Sequence, residues 1–88
     1  MKYYEFLEKV KQNNLSEKMY CINNVIADDV YCITNNYNKW EVFYRERGQE
    51  FEKEIFRNEE DAWENLLNRL LETVRIADKI QKRNTNTT

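Results

Sequence analysis

The groups able to do chemistry in this 88-residue chain are sixteen Asp and Glu carboxylates, fourteen Lys and Arg cations and two thiols; there is no histidine. Histidine is the commonest general base at neutral pH and the commonest metal ligand, so its absence removes both roles. Cys21 and Cys32 lie eleven residues apart and cannot close a four-ligand zinc site. No glycine-rich phosphate loop is present, and no serine or cysteine has a base beside it. The carboxylate pair Glu59 and Glu60 sits where helix N-termini collect acids for structural reasons. These residue types point away from an enzyme, and no cofactor or metal is expected.

The carboxylates are unevenly placed. Residues 49–64 hold seven acids and two bases, a net of −5 inside a chain whose total is −2. Tyr44-Arg45-Glu46-Arg47 interleaves aromatics with bases, as a nucleic-acid-binding strip does. The facing acids Glu50, Glu52 and Glu54 repel phosphate, so nucleic acid is not the expected partner. An acidic strip with one aromatic suits a basic protein instead, because charge speeds encounter and an aromatic anchors. The same residues also fit a solvated sheet face with cross-strand ion pairs, and composition does not decide between the two.

The elements that position these residues are legible from periodicity. Tyr3, Phe6, Leu7 and Val10 recur at helical spacing and predict a helix over 2–13, stopped at Asn13-Asn14. Residues 19–22 are a short strand candidate, followed by a turn at Asn23-Asn24. Val30–Thr34 is β-branched and aromatic and predicts a second strand, with either Val30 and Cys32 or Tyr31 and Ile33 facing inward. Residues 35–38 read as a loop.

Lys39–Glu46 alternates, and Gly48 breaks it. With Arg47-Gly48 as a two-residue hairpin loop, a longer, bulged loop being the alternative, Glu46 pairs Gln49, Tyr44 pairs Phe51, Val42 pairs Lys53 and Trp40 pairs Ile55. Trp40, Val42, Tyr44, Phe51 and Ile55 then share the core face, with Lys53 the misfit. Glu41, Phe43, Arg45, Glu50, Glu52 and Glu54 share the other. Asn58 predicts an N-cap. Trp63, Leu66, Leu67, Leu70, Leu71 and Val74 make a helical stripe, extended by Ala77 and Ile80.

Arg75, Lys79, Lys82 and Arg83 match the negative end of that helix's dipole. Residues 84–88 have nothing to bury and are expected to be a disordered tail, leaving one domain over 1–83. The order predicts an α+β fold: an N-terminal helix, three or four antiparallel strands and a long C-terminal helix. Both helices cover one sheet face, and the other is left to water or a partner. The N-terminus interleaves charges with apolar residues, unlike a secretory signal, so a cytoplasmic location with reduced core thiols is expected.

Tyr31-Cys32, Trp40–Tyr44 with Glu46-Arg47-Gly48, and then Phe56, Glu59, Glu60 and Ala62 form a pattern over about residues 20–71. It resembles small immunity proteins of bacterial polymorphic-toxin and contact-dependent growth inhibition systems, with Phe43 standing where tyrosine is common. The resemblance implies a non-catalytic inhibitor that binds a toxin domain, often a nuclease with a basic cleft. The face of Glu41, Phe43, Arg45, Glu50, Glu52 and Glu54, with Glu59, Glu60 and Asp61 at the helix start, is the expected contact surface. A small adaptor that acts through homodimerisation is the alternative. Neither membrane nor direct nucleic-acid binding is expected.

Overall fold

The computed structural model describes residues 1–23 and 28–86, with side chains described through Ile80. Helix α1 spans Tyr3–Gln12, and a short 3-10 turn spans Glu17–Met19. The strands are β1 (Tyr20–Ile22), β2 (Val30–Asn36), β3 (Lys39–Glu46) and β4 (Gln49–Phe56). Helix α2 spans Glu59–Asn86. The strands lie in chain order, β1-β2-β3-β4, in one sheet.

Local chemistry explains the boundaries. In α1 the Lys2 backbone N–H donates to the Glu5 carboxylate at 3.1 Å, which satisfies one orphan donor of the first turn. Asn14, at φ 54°, turns the chain out of the helix, as Asn tolerates. Arg47 (φ 51°) and Gly48 (φ 76°) both take positive φ, so the β3–β4 link is the two-residue loop that the alternation predicts. β2 runs two residues past Thr34 and turns at Tyr37-Asn38, so the expected 35–38 loop is a second tight hairpin. The Asn58 carbonyl accepts the first intrahelical bond of α2, from the Ala62 N–H.

α1 and α2 cover one face of the sheet. Phe6, Ile33, Val42, Leu66 and Leu70 are among the fully or nearly fully buried residues of that core. Trp63 is its hub, with ring centroids 5.0 Å from Phe6, 5.1 Å from Tyr3 and 5.9 Å from Trp40. Truncating a leucine here to alanine costs about 2–5 kcal/mol. Tyr31 and Ile33 are therefore the inward pair of β2, and Val30 and Cys32 face the other way.

Five expectations need correction. β1 and β2 run parallel, Cys21 opposite Cys32, so the sheet is mixed. The face away from the helices carries a second, smaller core of Val30, Cys32 and Phe43, with Cys21 packed against it, and is not open throughout. α2 continues to Asn86, three residues into the expected tail; Thr87 and Thr88 lie outside the described residues, as do Asn24 and the side chains of Lys82 and Arg83. The α2 stripe ends at Val74, since Ile76 and Ile80 are 49% and 54% exposed. At about 1.5 Å per residue the 28-residue helix is about 42 Å long, against about 26 Å for an eight-residue strand, so its end outruns the sheet.

The last correction concerns β4. Tyr44↔Phe51, Arg45↔Glu50 and Glu46↔Gln49 pair as predicted, but beyond them Val42 faces Glu54, Glu41 faces Ile55 and Trp40 faces Phe56. One extra residue has entered β4, and Glu52 there has φ 54°. Such a bulge reverses the side-chain parity of everything after it. Ile55 leaves the core and is 58% exposed, and Phe56 takes its place beside Trp40. Lys53 no longer points inward.

Candidate partner-binding interface

The bulge divides the predicted surface. On the face away from the helices, Lys53 Nζ lies 2.6 Å from Glu50, 3.0 Å from Glu41 and 5.1 Å from the centre of the Phe43 ring. Hydrogen bonds to Glu50 and then Glu41 raise the Lys53 pKa above its ordinary value. Arg45 stands opposite Glu50 on the same face. Two carboxylates and two cations there balance, so this face is not the acidic strip expected. Phe43 is 3% exposed and no anchor; it is the floor on which Lys53 lies.

Glu54 lies on the helix side, 3.2 Å from the Arg69 guanidinium. The same Arg69 Nη2 donates to the backbone carbonyl of Glu52 at 2.7 Å. The helix-start acids are engaged too. Glu59 accepts from Trp63 Nε1 at 3.1 Å, Glu60 pairs with Lys2 at 3.5 Å, and Asp61 accepts from Asn58 Nδ2 at 3.4 Å. The nine predicted residues thus occupy three places, and most of their polar groups hold the fold.

What the structure does assemble is a set of hollows beneath the hairpin end. Tyr20, Tyr31, Tyr44 and Phe51 are register partners across all four strands, an aromatic row on the helix side that runs to the β4 edge. Tyr31 and Tyr44 meet edge to face at 4.9 Å. Tyr31 lines three hollows, of about 690, 340 and 230 Å³. The largest lies between β4 and α2, beside Arg69 and Thr73. The second is bounded by Tyr31, Tyr44, Phe51, Glu46 and Glu52.

Polar order within this region is determinate. Thr73 Oγ1 donates its one proton to the Arg69 carbonyl at 2.9 Å, so Tyr31 donates to Thr73 Oγ1 at 3.0 Å. The Tyr44 pKa is raised, first by burial and then by the charges of Asp29 and Glu46. The carboxylates of Asp29 and Glu46 thus lie near enough to Tyr44 to disfavour its ionisation. Glu46 and Glu52 have no ion-pair partner among the described residues.

Compared with protein-family models, with curated proteins and with solved structures, the chain gives no match. The arrangement must then be judged by its own chemistry. Among the described residues, no group of three or more His, Cys, Asp or Glu side chains is disposed to hold a metal ion. No described helix is long and apolar enough to cross a membrane. The geometry sets aromatic side chains and carboxylates side by side at the hairpin end of the sheet.

Sequence reasoning missed Arg69 and Tyr31 as organisers of this region, and it assigned Phe51 to the core. One signal was available. Lys53 does not fit the inward face of an unbroken hairpin, and a one-residue insertion before it removes the conflict.

Proposed function

We propose that this chain is an immunity protein of the bacterial toxin–inhibitor type, which acts in the cytoplasm of the producing cell by binding a toxin domain one to one, without catalysis. The class is taken from the resemblance of the Trp40–Gly48 pattern, and of the helix start that follows, to such proteins. The observation that carries the reading is the hollow at the hairpin end, where Glu46 and Glu52, without ion-pair partners among the described residues, stand beside Tyr31, Tyr44 and Phe51. A basic, nucleic-acid-cleaving domain is the complementary partner, since opposite fields raise association rates and suppress wrong partners.

Co-expression tests it. A secreted protein's C-terminal domain encoded by the neighbouring gene should arrest growth alone and be tolerated with the chain present, and the two should co-elute at one to one; a neighbour that encodes no such domain counts against the reading. Persistent arrest with both proteins folded and expressed overturns the reading.

A second reading, homodimerisation through the end of α2, is favoured by one observation: Ile76 and Ile80 are half exposed on the part of the helix that outruns the sheet. Light scattering of the purified chain separates the two, because a dimer alone has twice the mass of the free inhibitor.

A further inference from the structure

We propose that the hollow bounded by Tyr31, Tyr44, Phe51, Glu46 and Glu52 is the recognition pocket for a single arginine or lysine side chain of the protein partner. The proposal deepens the immunity reading and rests on it, and it moves the contact surface from the face expected from sequence to the helix-side end of the hairpin.

Three observations converge on this hollow. The first is shape: about 340 Å³ is open to solvent at the sheet margin, where Phe51 is 43% exposed. The second is the aromatic lining. Tyr31, Tyr44 and Phe51 are neighbours across three strands, and a cation over such rings is attracted by their negative faces. The third is charge. Glu46 and Glu52 carry no ion pair among the described residues, and Asp29 adds its field at Tyr44.

Two cations of this region are already committed, while Arg47, exposed at the turn next to Glu46, forms no ion pair among the described residues. Arg69 is held by the Glu52 carbonyl and the Glu54 carboxylate, and the Lys53 ammonium lies on the opposite face. A cation entering from outside therefore meets carboxylates and aromatic faces without displacing an internal partner. A neutral or acidic segment gains neither contact.

The bulge is what builds this pocket. In an unbroken β4, Glu52 would lie beside Glu50 on the far face, above Phe43. The positive φ of Glu52 brings it to the hollow instead, and Arg69 fixes it there.

The experiment uses the full chain, labelled with nitrogen-15, and an octa-arginine peptide as probe. Amide shifts should concentrate at Tyr31, Tyr44, Glu46 and Phe51. The double variant Glu46→Gln/Phe51→Leu keeps the bulk of the lining but removes a charge and an aromatic face. It should weaken the peptide at least about tenfold, roughly the size of one cation–π contact with its carboxylate. Its urea midpoint, measured alongside, should match the parent.

Shifts centred on Glu59–Asp61 or spread evenly over the surface overturn the pocket, as does a folded double variant that binds as tightly as the parent. The toxin domain, made catalytically inactive, gives the second arm. If it binds parent and double variant equally, the pocket is overturned and the immunity reading stands. If it ignores the parent while the peptide still seats in the hollow, the immunity reading falls and the cation pocket stands.

Discussion

Arg69, in the middle of α2, donates to the carbonyl of Glu52, in the middle of β4, across 2.7 Å. The bond joins a helix to the one residue of its sheet that breaks register. The same guanidinium reaches Glu54 at 3.2 Å, so one side chain holds both sides of the bulge. Arg69→Met removes both charge-assisted bonds and should cost about 1.5–3 kcal/mol in urea unfolding. Arg69→Lys should recover only part of it, because the lysine stem is shorter and its ammonium stops short of the position Nη2 occupies. Hydrogen exchange should quicken in β4 before it does in β2.

Glu52 holds φ 54°, where a side chain costs roughly 1–2 kcal/mol and glycine nothing. Glycine's extra freedom in the unfolded chain takes back about 0.5–1 kcal/mol. Glu52→Gly should therefore be neutral to slightly stabilising, by up to about 1 kcal/mol. Glu52→Val should lose more than about 1 kcal/mol, since a β-branched residue tolerates that backbone least. Thermal melts of the pair measure the difference directly.

Phe43 and Lys53 form a unit with separable parts. Phe43→Ala should cost about 3–5 kcal/mol, as for other buried aromatics, and should not be mistaken for loss of a partner contact. Lys53→Met leaves Glu41 and Glu50 facing each other. With the Lys53 side chain 36% exposed, screening limits the loss to about 0.5–1 kcal/mol. Repeating the measurement in about 1 M salt should shrink it further.

Cys32 supplies a pH signature. Burial, followed by its hydrogen bond with Cys21, pushes its thiol from 9.0 to about 12. The folded state thus holds a proton that the unfolded state gives up. The associated stability is fully present below about pH 9 and is lost as pH rises toward about 12. Tyr20 and Tyr44, also raised, act in the same direction. Urea midpoints taken from pH 8 upward should fall, and Cys32→Ala should show a shallower fall. Alkylation of native protein near pH 8 should spare Cys32 until the chain unfolds.

The parts of the fold that sequence made legible are those written in spacing. The helical stripe from Trp63 to Val74 and the glycine at the hairpin turn each commit the backbone locally, so both appear where periodicity puts them. The direction of β1 was not legible, because a three-residue strand pairs as readily in either sense and nothing in its composition records the choice. The Glu52 bulge was hidden for another reason. No glycine marks it, and the interaction that stabilises it comes from a helix in a distant part of the chain. Once the bulge is missed, every face assignment beyond it inverts, which is how Ile55 was placed in the core and Glu54 on the far face. Phe43 was misplaced differently: its parity was right, but a second small core lies on the face expected to be exposed.

The strands sit side by side in the order in which they are synthesised, and no proline occurs anywhere in the chain. Most strand contacts are thus made between neighbours along the sequence, which keeps loop-closure entropy small and the route to the native state short. No prolyl isomerisation step is available to delay it. Refolding should run as a single fast phase, and the late event should be the docking of α2, the one element that must bring Arg69 back to β4. On the immunity reading proposed above, speed of maturation would matter as much as strength of binding.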